Sequence, residues 1–219
     1  MPYARKHLCT VLTAMLLLLA GCMPAVLVAG AAVGVMNVHD RRSTGSQIED
    51  EVAEWKVSNR MPARYAESAH VAFTAFNRVL LITGEVPDEE ARRAIGEMAE
   101  QIEEIRAVRN ELVVAPVSSL ATRGRDALVS SSFKARVLES GQLSANHVKP
   151  RTENGVLFVM GLVNERESQI AIEIARTTEG VREVVNVMEV IPEAETRRLD
   201  WSVAGSSLPS QPAAAVGTR

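Results

Sequence analysis

Val79-Leu80-Leu81-Ile82-Thr83-Gly84-Glu85-Val86 recurs 77 residues later as Val156-Leu157-Phe158-Val159-Met160-Gly161-Leu162-Val163. Upstream, the same offset pairs His70-Val71 with His147-Val148 and Asn77 with Asn154. Downstream, Ile105-Arg106-Ala107-Val108-Arg109-Asn110 matches Val181-Arg182-Glu183-Val184-Val185-Asn186 at an offset of 76, and Pro116 and Pro192 close the copies. Self-similarity at this period marks two tandem supersecondary units. One residue has been gained or lost between the glycine and the last strand. Glu104, which stands where the second copy has Gly180, is the expected place for it.

Each copy reads as helix, strand, strand, helix, strand. The opening helices are expected over Gln47–Asn59 and Asp126–Ser140, the second with Val129, Phe133 and Val137 on one face. The next two strands are joined by Asn77-Arg78 or Asn154-Gly155, the latter a strong hairpin signal because both residues tolerate positive φ. Asn164-Glu165-Arg166-Glu167 is a capping-box pattern opening the second helix of copy two, and Pro87 with Asp88, Glu89 and Glu90 suits the same helix start in copy one. Ile95, Met98, Ile102 and Ile105 fall at helical spacing, and Gly180 is expected to cap the later helix. The third strands are Val108–Val114 and Val184–Ile191. The fold class is α+β, with two helices on a three-stranded mixed sheet in each unit. A unit of about 70 residues is marginal alone, so the copies are expected to pack together.

The N-terminus carries a different signal. Arg5 and Lys6 precede an apolar run from Leu8 to Leu19, followed by Leu19-Ala20-Gly21-Cys22. This order is that of a secretory signal ending in a lipobox, with cleavage before Cys22 and acylation of its thiol. An uncleaved transmembrane anchor is the competing reading, because weakly apolar residues continue from Pro24 to about Val38. The other cysteine, Cys9, lies in the segment to be removed, so the folded part is expected to hold no disulfide, thiol nucleophile or cysteine metal site. The chain from Cys22 has 22 basic and 27 acidic side chains, a balance that argues against nucleic acid as a partner. The expected organisation is 1–21 signal peptide, 22–45 lipidated tether, 46–116 first domain, 117–122 linker, 123–192 second domain and 193–219 flexible tail.

His-Val, then Val-Leu-X-X-X-Gly-X-Val, an acidic helix start and a final Val-X-Asn strand resemble the BON domain (bacterial OsmY and nodulation). Two such domains behind a lipobox, with Asp40-Arg41-Arg42-Ser43-Thr44-Gly45 near the mature start, resemble the DolP-like outer-membrane lipoproteins. The resemblance implies a non-enzymatic protein on the periplasmic face of the outer membrane. It would support envelope integrity and bind anionic phospholipid through the opening helix of the second domain. Met23 after the cysteine, in place of an inner-membrane-retaining aspartate, agrees with outer-membrane sorting. That helix carries an exposed tryptophan in the family, and Leu128 stands at the corresponding position here.

Charge is distributed to match. Residues 46–116 carry 8 basic and 14 acidic side chains, whereas residues 121–192 carry 9 of each. Arg123, Arg125, Lys134 and Arg136 surround Leu128, with Asp126 the one acid among them. Leu128 and these four basic residues are the candidate phospholipid contacts, and an ordinary solvated helix is the bland alternative. His70 and His147 are read as strand-start residues and not metal ligands, Asp88–Glu90 as a helix start and not a catalytic pair, and Trp55 as a packing residue. No cofactor is expected. The competing function is an adaptor for envelope-assembly or cell-wall proteins, and oligomeric state is left open.

Overall fold

The computed structural model describes residues 40–206, with side-chain surroundings through residue 202. Residues 1–39, with the expected signal segment and Cys22, and residues 207–219 lie outside the described residues. Helix α1 spans Thr44–Arg60, followed by a 3-10 turn at Ala63–Tyr65, β1 His70–Phe76, β2 Val79–Val86, α2 Glu89–Glu100 and β3 Ala107–Val114. The second copy is α3 Leu120–Ser140, β4 Val148–Glu153, β5 Val156–Val163, α4 Glu165–Arg176 and β6 Glu183–Val190, and α5 Glu193–Ser206 ends the described chain. Each sheet is mixed: the central strand pairs antiparallel with the strand before it and parallel with the one after the helix.

The central strands are buried on both faces, and their alternation assigns each face a partner. Leu80, Ile82 and Val86 turn toward α1 and α2, packing with Ala53, Val57, Ala91 and Ile95. Leu157, Val159 and Val163 do the same with Phe133, Val137, Ala171 and Ala175. The opposite faces meet each other, Phe76 and Leu81 packing with Phe158, Met160 and Leu162. The two copies therefore join sheet to sheet, with α1 to α4 on the outer faces.

The repeated glycine marks a close approach. Val71 pairs with Gly84 and Val148 with Gly161. A Cβ on Gly84 would collide with the His70 carbonyl oxygen, and one on Gly161 would stand 2.6 Å from the His147 carbonyl oxygen.

Both hairpins turn through positive φ, at Asn77 (50°) and Arg78 (64°), and at Asn154 (49°) and Gly155 (74°). An aspartate on the opening helix serves each turn. Asp50 accepts from the Asn77 and Arg78 N–H groups at 2.8 and 2.7 Å, and Asp126 from the Asn154 and Gly155 N–H groups at 2.9 Å each. Both carboxylates are buried. Asp50 also receives Arg42 at 2.8 Å, and the Arg42 guanidinium lies 4.1 Å from the centre of the Phe76 ring.

Several sequence expectations need correction. The one-residue difference is Pro87: β2 and β5 match at an offset of 77, whereas the helices that follow match at 76. Asp88 caps α2 through the Ala91 N–H at 2.8 Å, one residue later after its strand than Asn164 caps α4. Glu104 is not among the positive-φ residues, and α4 ends at Arg176, four residues before Gly180. Helix α3 begins at Leu120, within the expected linker, because Ser119 caps it by accepting from the Thr122 N–H at 3.1 Å. Residues 40–45 belong to the folded body and not to a tether. Residues 193–206 are helical where a flexible tail was expected, with Thr196 buried and Leu199 packed on the intersheet cluster.

Replacing Asp126 with alanine removes the acceptor for two turn N–H groups, and Asp50→Ala does the same while leaving Arg42 without one of its carboxylates. Each variant is expected to lose about 2–4 kcal/mol of stability. Urea denaturation measures this; losses below about 1 kcal/mol in both would contradict the assigned role.

Candidate functional site

Helix α3 is apolar on both sides. Its inward side carries Val129, Phe133 and Val137, with Asp126 reaching the hairpin. Its outward side carries Leu120 (79% exposed), Leu128 (68%) and Leu138 (64%), together with the exposed Gly124, Ala127, Ser131 and Ala135. These positions fall on one stripe of a 3.6-residue helix, and no charged residue interrupts it between Leu120 and Leu138. At 1.5 Å per residue the stripe is about 27 Å long. Helix geometry places Arg125 and the exposed Glu139 along one margin and Arg123 and Lys134 along the other.

The predicted contact residues have unequal freedom. Leu128 and Arg125 are exposed, and Arg125 makes a long 3.4 Å bond to Thr122. Lys134 is exposed, and partial desolvation, with Lys149 and Arg42 nearby, holds its ammonium below the usual range. Arg123 turns toward the first copy, where its Nη1 lies 3.3 Å from His70 Nδ1. Arg136 is committed to packing: it donates to the Ile174 carbonyl at 3.0 Å and to the Thr178 and Thr177 hydroxyls at 2.8 and 2.9 Å, closing the C-terminus of α4. Cys22 lies outside the described residues. Leu120 lies before the helix start expected at Asp126, and Leu138, inside the expected helix, is marked as a surface residue only by its 64% exposure. Trp55, read there as a packing residue, is instead 68% exposed and forms an outward stripe with Ile48 and Val52.

The model for the BON domain matches residues 49–116 and 125–192. The chain belongs to the BON domain family. It is similar to the outer membrane lipoprotein DolP of Haemophilus influenzae, with 32% identity over 175 residues that cover 79% of this chain and 90% of that protein. It is also similar to a protein named 21 kDa hemolysin from Actinobacillus pleuropneumoniae, at 28% identity over 69% of this chain and 79% of the relative. Among the described residues, no helix is long and apolar enough to cross a membrane, and no His, Cys, Asp and Glu cluster suits a metal ion.

A second polar centre ties both ends of the described body to the second BON domain. Arg41 is buried and donates to Glu167 through Nη1 and Nη2 at 2.6 and 2.8 Å, to Asp200 through Nε and Nη2 at 2.8 and 2.9 Å, and to the Leu162 carbonyl at 3.0 Å. Its five N–H donors meet three acceptor groups, the condition under which a buried guanidinium is tolerated. Burial opposes its charge, but the hydrogen bonds it donates to Asp200 and Glu167 outweigh that and raise its pKa. Burial also acts against Glu167, yet the Arg41 bond and the Asn164 N–H bring its carboxyl below the usual range. Glu167 is at once the capping-box residue of α4 and a ligand of Arg41. His147 is buried beside them, 3.9 Å from Glu167 and 3.8 Å from Asp200, with neither ring nitrogen hydrogen-bonded. Burial first, then Arg41, lowers its pKa against the opposing pull of Asp200, Glu167 and Asp40.

With the folded His147 pKa below its ordinary 6.5, the unfolded chain takes up the proton first, so stability falls as pH drops below about 6.5. Glu167, also lowered in the folded state, adds a loss in the same direction as pH falls below about 4.5. Urea midpoints are therefore expected to decline between pH 7 and 5, and His147→Gln is expected to flatten that part of the curve. A wild-type midpoint that rises on acidification would contradict this assignment.

Proposed function

We propose that this protein is a non-enzymatic, lipid-anchored envelope protein whose second BON domain lays α3 on anionic phospholipid. The observation that carries the proposal is the uncharged outward stripe of Leu120, Leu128 and Leu138, margined by Arg125 and Lys134. An interfacial helix needs these parts: apolar side chains that enter the acyl boundary and cations that meet the headgroups. A leucine contributes roughly 1.5–3 kcal/mol when fully removed from water, and a basic residue near an anionic surface about 1 kcal/mol. Such a site is weak alone, and an acyl group on Cys22 would raise its effective concentration at the bilayer. Similarity to an outer membrane lipoprotein supports the periplasmic face of the outer membrane as the location.

A second reading, an adaptor for another envelope protein, draws on the first BON domain. Ile48, Val52 and Trp55 form an exposed stripe on α1, but Glu49 and Glu51 flank it in a domain of net negative charge. That face disfavours an anionic bilayer and suits a protein partner.

The chain from Met23 to Arg219, which lacks the acylated cysteine, separates the readings. It is expected to float with phosphatidylglycerol vesicles and to be released by salt, because its cations are screened. Leu128→Glu is expected to lower that binding about tenfold or more without changing the circular dichroism spectrum, since it adds a charge and removes apolar contact. Undiminished flotation of Leu128→Glu would contradict the proposal.

A further inference from the structure

A cleft of about 360 Å³ lies beside α3, walled by His70, Arg123, Ala127, Ser130, Arg151 and Glu153. His70 comes from the first BON domain and the others from the second, so the cleft exists only where the domains meet. Ala127 is both a wall of the cleft and an exposed residue at the margin of the outward α3 stripe.

The donors in this cleft are unevenly satisfied. A guanidinium can only donate, so the 3.3 Å contact from Arg123 Nη1 makes His70 Nδ1 the acceptor and places the proton of the neutral ring on Nε2. That Nε2–H is buried without a hydrogen-bond partner, and so is Arg123 Nε–H. Glu153 Oε2 stands 3.6 Å from His70 Nε2, too far for a hydrogen bond. Among the acids nearby, Glu153 accepts through Oε1, from Arg151 Nε at 2.8 Å and the Thr83 hydroxyl at 3.3 Å, and both Asp126 oxygens receive turn N–H groups. Arg151 balances Glu153, whereas the half-buried Arg123 has no carboxylate partner among the described residues. Arg123 is thus a partly desolvated cation with its own Nε–H unused, beside the unused Nε2–H of His70, an arrangement whose chemistry suits an anion.

We propose that this cleft receives the phosphodiester of an anionic phospholipid headgroup, with Arg123 and His70 donating to its oxygens while the acyl chains lie along the leucines of α3. This rests on the lipid-face reading and extends it by giving the first BON domain a part in headgroup recognition. A free phosphate ion would engage the donors but not the neighbouring apolar stripe, so the lipid is the better ligand.

The test uses the chain from Met23 to Arg219 and follows the Arg123 Nε–H and His70 Nε2–H resonances. Dihexanoylphosphatidylglycerol below its micelle concentration is expected to shift both saturably, and inorganic phosphate to bind at least about tenfold more weakly. Arg123→Gln and His70→Phe are each expected to weaken the lipid about tenfold, the loss of one charge-assisted hydrogen bond, with Arg123→Lys closer to wild type. Resonances unmoved by the lipid, equal affinity for inorganic phosphate, or unchanged affinity in both variants would overturn the proposal. Vesicle flotation distinguishes its failure from that of the lipid-face reading. If Leu128→Glu abolishes flotation and Arg123→Gln leaves it intact, the lipid face stands and the cleft does not. If the wild-type chain fails to float on phosphatidylglycerol vesicles, both fall.

Discussion

The orientation of the two opening helices depends on one interaction made twice: a buried aspartate of the helix accepting the two N–H groups of a hairpin turn. These turns hold their central residues at positive φ, and the aspartates satisfy the donors that burial would otherwise leave unpaired. Because Asp126 points inward and is fixed at two distances, the rotation of α3 about its own axis is fixed too. The opposite stripe, with Leu120, Leu128 and Leu138, must then face solvent. Asp50 does the same for α1, turning Ile48, Val52 and Trp55 outward. The same framework thus presents two apolar stripes with different charged margins, mainly basic on the second domain and mainly acidic on the first.

Sheet-to-sheet packing gives the pair its unity. The strand alternation that places Leu157 and Val159 beneath the helices places Phe158 and Met160 against the other copy. Polar contacts accompany that apolar seam: Asn154 donates to the buried Glu85, Lys149 reaches Glu54 at 2.7 Å, and Asn77 reaches Glu189 at 2.9 Å. Arg123 and His70 belong to this seam, which is why a cleft formed by residues of both domains lies next to the outward face of only one helix.

Much of this was readable in the sequence, and the exceptions have physical causes. The period-2 and helical patterns, the Asn154-Gly155 turn and the Asn164–Glu167 capping box are local signals, decided within a few residues, and the structure places them as expected. The extra residue at Pro87 is not legible as such, because an indel in a strand-to-helix turn shifts the alignment downstream without marking its own position. The true start of α3 was hidden because Ser119 is a short polar cap in a stretch that otherwise reads as linker. Arg41 was assigned to a tether because its partners are 126 and 159 residues away, and no local pattern announces a buried guanidinium. Of the proposed contacts, Leu128 and Arg125 were visible as composition on a helix, but the commitment of Arg136 to the end of α4 and the turn of Arg123 into the cleft depend on tertiary packing.

The central claim, that α3 meets the bilayer through the side opposite Asp126, is tested most directly by a cysteine scan of the chain from Met23, which has no cysteine of its own. An environment-sensitive fluorophore or nitroxide would be placed singly along residues 120–138, with Trp55 as a site on the other domain. On phosphatidylglycerol vesicles, labels at positions 120, 124, 128, 131, 135 and 138 should enter the apolar boundary with a 3.6-residue period, while labels at 125 and 134 remain at headgroup depth and the label at 55 stays in water. Bilayer entry by the label at 55 with none along α3, or a scan of α3 without that period, would contradict the account.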